Sequence, residues 1–397
     1  MRLRWLVVFV AVTLVTVVAC THSRFGAYRY RDLAESSGQS VVRSMILFVG
    51  DGMGPQILSI GNIYSEVSLG TELNMVGLAN TGVTGYMTTH SEDKLVTDSA
   101  ASGTAMACGY KTNNGVVGMA SDGQSLVNLF EQAVAKGKAV GVVTTTSVTD
   151  ATPAVFLAHA YSRELHFDIA LQIVESGATV VMGGGSWYFR PPEGGRRSDG
   201  IDVTEMARER GFEVIYDKAG LRAADGDRIL GLFAPDVLPY ERSRRTYETP
   251  SLSDMMVKAL GILSDDPDGF LLVVEGGRID HAEHENAISD ALADFFAFDD
   301  AIGHAMNYQE KDSTLTIVVT ADHDCGGPAI TATGYGYPAY DDLELLAGED
   351  CEIVRWVSGD HTGTMVPVFA RGPGEDSFIG VQDNTDLHDN IVWLLGL

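Results

Sequence analysis

Asp280 and His284 stand four residues apart in EGGRIDHAEHENAISDALADF, which begins at Glu275. Residues at i and i+4 share one face of a helix, so a carboxylate and an imidazole could grip one ion there. Helical periodicity supports this: apolar Ile288, Leu292, Phe295 and Ile302 recur at three- and four-residue multiples downstream. Taken alone, the pair also reads as a helix N-cap and an exposed histidine. ADHDCGG (321–327) sets Asp322 beside His323, and SGDHTG (358–363) offers His361. A carboxylate plus an imidazole suits zinc. The stretch VTDSAASGTAMACG (96–109) adds a hydroxyl, Ser99, at the start of a run of small residues. Such a helix start is a seat for an anion. A serine hydroxyl attacks nothing at neutral pH unless a base or a metal activates it. No GxSxG elbow signals a serine–histidine–acid arrangement.

These residues need elements to bring them together. Six apolar runs read as strands buried on both faces: MILFVG (45–50), AVGVVTT (139–145), ATVVMG (178–183), FLLVVE (270–275), LTIVVT (315–320) and MVPVFA (365–370). Helical stretches at 125–138, 165–177 and 251–266 alternate with them. The pattern predicts an α/β fold, a three-layer α/β/α sandwich around a large, mostly parallel sheet. Asp51 follows the first run, Asp150 and Thr152 the second, and Glu275 ends the fourth, with Asp280 five residues on. Asp322 and His323 follow the fifth. Ligands of open α/β sheets bind beyond the carboxyl ends of the strands, so all these groups would gather at one edge. Carboxylates gathered there would repel one another and take up protons unless cations lay between them.

Bulk features narrow the class. A 397-residue chain suffices for one large α/β domain or two ordinary ones. A formal net charge of −27 argues against nucleic-acid binding, which needs a basic face. Arg2 and Arg4 precede the uncharged run WLVVFVAVTLVTVVA (5–19), which is short for a membrane span. With Ala19 before Cys20, residues 1–20 resemble a bacterial lipoprotein signal, predicting export to the periplasm or cell surface and a lipid on Cys20. Residues 21–40 read as a tether, and 41–397 as one domain whose polar stretch, about 186–250, interrupts the strand–helix alternation. Of Cys108, Cys325 and Cys351, only 325–351 is a candidate disulfide. No CxxC motif suggests a thiolate zinc site. GGGSW (183–187) and Asn114-Gly115 read as turns, and His159, His166, His304 and His388 as structural or solvated.

The ordered set GDGMG (50–54), VTDSAASGTAMACG (96–109), DATP (150–153), AHAYSR (158–163), EGGRIDHAEHEN (275–286), TADH (320–323) and GDHTG (359–363) resembles the alkaline phosphatases. The likeness runs from about residue 44 to the C-terminus and includes the less chemical stretch 231–260. It implies a phosphate monoester hydrolase with a broad substrate range, working through a phosphoserine on Ser99. It implies one zinc on Asp280, His284 and His361, and a second on Asp51, Asp322 and His323 that also touches Ser99. A third ion, usually magnesium, would sit on Asp51, Thr152 and Glu275, with Asp150 reaching it through water. Arg163 matches the phosphate-clamping arginine. His281 falls where members of the family vary, near the phosphate and the third metal, which leaves that ion open among magnesium, zinc and cobalt. The resemblance also implies a homodimer and places 186–250 as a variable insertion near the active-site rim. A phosphodiesterase or sulfatase of the same metal architecture, or a metal- or phosphate-binding surface lipoprotein, are the rival readings.

Overall fold

The computed structural model describes residues 42–244, 246, 248–332, 336, 338–348, 351 and 353–397. The signal, Cys20 and the tether lie outside the described residues. Among the described residues, fourteen strands follow in chain order: β1 (Ser44–Val49), β2 (Val83–Thr88), β3 (Ala139–Ser147), β4 (Val180–Gly184), β5 (Glu213–Ile215), β6 (Ile229–Leu232), β7 (Phe270–Glu275), β8 (Leu315–Thr320), β9 (Asp324–Cys325), β10 (Ala329–Ile330), β11 (Val354–Arg355), β12 (His361–Thr362), β13 (Val366–Arg371) and β14 (Gly380–Asp383). Ten of them form one sheet in the order β14-β2-β13-β8-β1-β7-β3-β4-β6-β5. Only β13 in that sheet runs against its neighbours, β2 and β8. All six apolar runs are strands of this sheet, and β1, β7 and β8 are buried along their whole length. Helices cover the sheet, and one continuous apolar core includes Phe48, Phe270, Phe295 and Phe298. The α/β expectation therefore holds.

Two local features differ from the periodicity reading. The stretch 186–250 continues the alternation, supplying β5 and β6 at one end of the sheet. Its short strands, of 3 and 4 residues, fall below the length at which an apolar run stands out. The helical stretch after Glu275 is two helices, Arg278–His284 and Ile288–Gln309. Asn286, at φ 55°, makes the break in the left-handed region that asparagine tolerates. Asp280 is accordingly inside the first helix and is not its N-cap, while Ile288, Leu292, Phe295 and Ile302 are all buried on the second. Cys325 and Cys351 are both free thiols, as is Cys108.

Strands β8, β1, β7 and β3 are consecutive neighbours, all parallel. At about 4.8 Å per strand, their carboxyl ends span roughly 15 Å. This is the edge where the acids and histidines of the sequence converge.

Candidate active site

Each functional side chain is placed by a strand end or a short helix. Asp51 lies two residues past β1, in a turn that Gly52 makes possible. Gly52 sits at φ 73°, and a Cβ there would lie 2.9 Å from Glu283 Oε2 and 3.0 Å from the Asp280 Cα. The glycine thus serves both the left-handed turn and close approach of the helix bearing Asp280 and His284. Asp322 and His323 follow β8 directly; Gly52 N–H donates to Asp322 Oδ1 at 3.2 Å, and Ser102 Oγ–H to the Asp322 carbonyl at 2.6 Å. Glu275 ends β7 and accepts from the hydroxyls of Thr144 and Thr146 on β3.

Ser99 is the first residue of the helix Ser99–Cys108, all of whose residues are buried. Asp98 caps that helix by accepting from Ala101 N–H at 3.0 Å. Ala and Gly dominate it because the neighbours come close: a Cβ on Gly103 would meet Val155 at 3.0 Å. Ser99 Oγ lies 3.1 Å from His323 Nε2. The same nitrogen is 3.2 Å from Asp322 Oδ2 and 3.5 Å from Asp51 Oδ1.

A second group sits alongside. His284 Nε2 is 3.4 Å from Asp280 Oδ2, and His361 Nε2 is 3.5 Å from Asp280 Oδ1. His284 Nδ1 faces the Gly359 carbonyl at 2.8 Å, and His361 Nδ1 faces the Thr97 carbonyl at 2.8 Å. A carbonyl only accepts, so each Nδ1 carries the proton and each neutral ring presents a bare lone pair at Nε2. Those two Nε2 atoms are 3.1 Å apart. Two lone pairs at that separation repel unless a positive charge lies between or beside them, which is the arrangement of metal-ligating histidines held by carbonyls.

The buried polar atoms agree. Asp51 Oδ1, Thr152 Oγ1, Asp280 Oδ1, Asp322 Oδ2 and His323 Nδ1 are buried with no hydrogen-bond partner. Burial, reinforced by Asp322 and Asp280, holds the Asp51 carboxyl well above the usual range. Burial likewise drives Glu275 up to about 8, and, with Asp280, drives Asp322 to about 6. Burial and the charge of His361 hold the His323 ring well below its usual value. Burial works against a charged His361, yet Asp280 beside it lifts the ring to about 9. Without a cation, Asp51 and Glu275 thus hold protons at this edge, and Asp280 stays ionised beside a protonated His361. With one, the carboxylate oxygens and the ring Nε2 atoms that face each other there are satisfied. The donor set fits two cations: Asp280, His284 and His361 make one group, and Asp51, Asp322 and His323 the other.

Arg163 is half-buried, with Nη1 3.2 Å from Asp98 and Nη2 3.0 Å from Asp150. Both acids together outweigh the burial that opposes its charge. Arg163 in turn leads the influences that keep Asp150 ionised against its burial. Asp150 also caps the short helix Ala151–Ala154, which carries Thr152. Glu275 and Asp150 lie close enough to Asp51 to raise its pKa further, and Asp150 also raises that of Glu275. His281 Nδ1 is 2.6 Å from Arg278 Nη1, and burial lowers its pKa. Ser99, Arg163, Asp280, His281, His284 and His361 all line one pocket of about 390 Å³.

Sequence reasoning missed four participants. Asn114, read as a turn, lines the pocket and accepts from Asp98 N–H at 3.3 Å. The Thr97 and Gly359 carbonyls set the histidine tautomers, a role no residue type announces. Cys325 joins the Asp280, His284, His361 group because its position in β9 pairs with His361 in β12. His159, His166 and His388 pair with Gly118 and Glu131, Thr149, and Gln132 and Asp389, away from the pocket.

Acids and imidazoles gathered at the carboxyl edge of this sheet form two groups that could hold metal ions. Residues 42–341 match the family model for alkaline phosphatase, and the chain belongs to that family. It is a phosphatase, a hydrolase of phosphate monoesters. Alkaline phosphatase 4 of Bacillus subtilis (strain 168) is 30% identical, over 89% of this chain and 88% of that one. Streptomycin-6-phosphate phosphatase of Streptomyces griseus is 33% identical, over 91% and 92%. The alkaline phosphatase of the Antarctic bacterium TAB5 superposes with a TM-score of 0.79 at 31% identity, over 90% of this chain and 99% of that one. A variant of that enzyme, with a histidine replaced by aspartate, has magnesium bound in its M3 site.

Proposed function

We propose that Ser99 is the nucleophile of a two-step transfer through a phosphoserine. The observation that carries this is the convergence on His323 Nε2 of Ser99 Oγ, Asp322 Oδ2 and Asp51 Oδ1, all within 3.5 Å. In the reading, Asp280, His284 and His361 hold one zinc. Asp51, Asp322 and His323 hold another beside Ser99. Asp51, Thr152 and Glu275 hold magnesium, with Asp150 one water away. Such cations, when bound, acidify a hydroxyl and offset charge on the oxygen that leaves.

The chain's own groups do the rest. The helix start at Ser99 aims free N–H groups at the phosphoryl oxygens. Arg163, oriented by Asp98 and Asp150, presents its remaining donors to two of them. A bond forms from Ser99 Oγ to phosphorus as the bond to the alcohol oxygen breaks, and the alcohol leaves with a proton. Water then cleaves the serine ester and releases inorganic phosphate. Most contacts fall on the phosphate, so we expect several unrelated monoesters to be turned over. Magnesium in the M3 site of the TAB5 variant supports magnesium for the third ion here. Export with a lipid on Cys20, and a homodimer, complete the proposal; globomycin-sensitive processing and light scattering test them.

The decisive experiment pairs Ser99→Ala with acid-quench mass spectrometry of the wild type. Phosphate on Ser99 is expected in the wild type, with turnover falling by roughly 10³-fold or more in the variant and its metal content retained. Full turnover by Ser99→Ala would end this reading. Parallel assays on a diester and a sulfate ester separate the rival reactions.

A further inference from the structure

The mouth of the pocket has a charge asymmetry that phosphate binding does not use. Arg163 is committed to Asp98 and Asp150. Asp98 is also taken by the N–H groups of Ala101 and Gly115. Asp280 lies between His284 and His361. Asp360, which lines the same pocket, is different. It is exposed, and its carboxylate has no hydrogen bond or ion pair among the described residues. Its backbone is nevertheless fixed: Asp360 N–H donates to Ser358 Oγ at 2.9 Å, and its carbonyl accepts from Gly326 N–H at 3.0 Å. The charge is therefore held at the rim by a positioned loop. Val96 is 37% exposed and also lines the pocket. The segment after Asp360 reaches it, since a Cβ on Gly363 would lie 4.0 Å from Val96 Cγ2. The chain's formal charge of −27 adds a background field of the same sign.

We propose that Asp360 selects the alcohol half of the substrate. A monoester whose alcohol carries an ammonium group a few bonds from the phosphate is preferred over a neutral ester of the same shape, and an anionic alcohol is disfavoured. Asp360 meets the cation, and Val96 meets its methyl or methylene groups. The phosphate core stays indifferent to the alcohol, so the rim decides the order among esters. This rests on the phosphatase reading above.

The test compares phosphocholine, its uncharged carbon isostere 3,3-dimethylbutyl phosphate, and phosphoglycolate, by kcat/KM on the metal-loaded protein. At low ionic strength the wild type should prefer phosphocholine to the isostere by about three- to tenfold, with phosphoglycolate last. Asp360→Asn should bring the first two within about twofold, and Asp360→Lys should reverse them, with bound metal unchanged in both. Raising salt from about 0.01 M to about 0.3 M should shrink the wild-type preference, which tests the charge without any variant. If turnover persists while the ratios are unmoved by substitution and by salt, the proposal is overturned and the phosphatase reading stands. If the wild type hydrolyses none of the three, both fall.

Discussion

At the amino edge of the sheet, where β3 and β4 begin, a cavity of about 810 Å³ is lined by Ala139, Thr179, Lys218, Asp254 and Lys258 among others. At the carboxyl edge, the pocket holding Ser99 measures about 390 Å³. The two lysines of the larger space are partnered: Lys218 Nζ is 2.6 Å from Asp254, and Lys258 Nζ donates to the Ala224 carbonyl at 2.8 Å. The smaller one is surrounded by buried oxygens and nitrogens with nothing to bond. Unsatisfied polar atoms in a folded interior cost free energy and persist where something else satisfies them. Chemistry is therefore marked by unmet valence, and cavity size is a poor guide.

The sharpest way to break this contrast is to remove what the carboxyl edge is built to hold. Chelation should abolish turnover and lower Tm by several degrees, and zinc with magnesium should restore both. His284→Ala should carry about one metal fewer per chain by elemental analysis. A chelated protein with unchanged Tm and activity would contradict the role assigned to the unmet groups.

A buried acid away from the site sharpens the comparison. Asp294 accepts from Glu241 N–H at 3.0 Å, and burial drives its carboxyl up to about 7. Its folded-state value lies above the ordinary 3.8, so its contribution to stability is full below that pH and is lost as pH rises through 7. Asp294→Asn keeps an acceptor and removes the ionisation. It should gain roughly 1–3 kcal/mol at pH 8 and almost nothing at pH 4 by denaturant melts. An equal gain at both pH values would show that ionisation is not the cause.

The smallest effect belongs to the amino edge. Lys218→Ala should cost at most about 1 kcal/mol, because the pair with Asp254 is partly exposed, and should leave kcat/KM within about twofold. A large loss of turnover would move function toward that cavity.

Much of the site was legible because its residues sit at strand ends. Asp51, Asp322 and His323 each follow an apolar run and Glu275 ends one, and the ends of parallel strands share an edge by geometry alone. The strands β2, β5, β6 and β14 were not legible, being short or lacking a continuous apolar run. His361 was weak by itself, since β12 has only two residues. Its place depends on pairing with β9, whose Cys325 lies opposite it.

The amino-acid order alone determined the α/β class, the central parallel strands and the identity of the donors, because buried runs and helix spacing are local periodicities. Tertiary structure decided what those donors can do. The Thr97 and Gly359 carbonyls choose the histidine tautomers, Asp98 and Asp150 aim Arg163, and the loop that Gly326 N–H holds at the Asp360 carbonyl leaves one carboxylate at the rim. Each is a contact between segments remote in the chain, where hydrogen-bond direction and burial are set by packing and have no signature in composition.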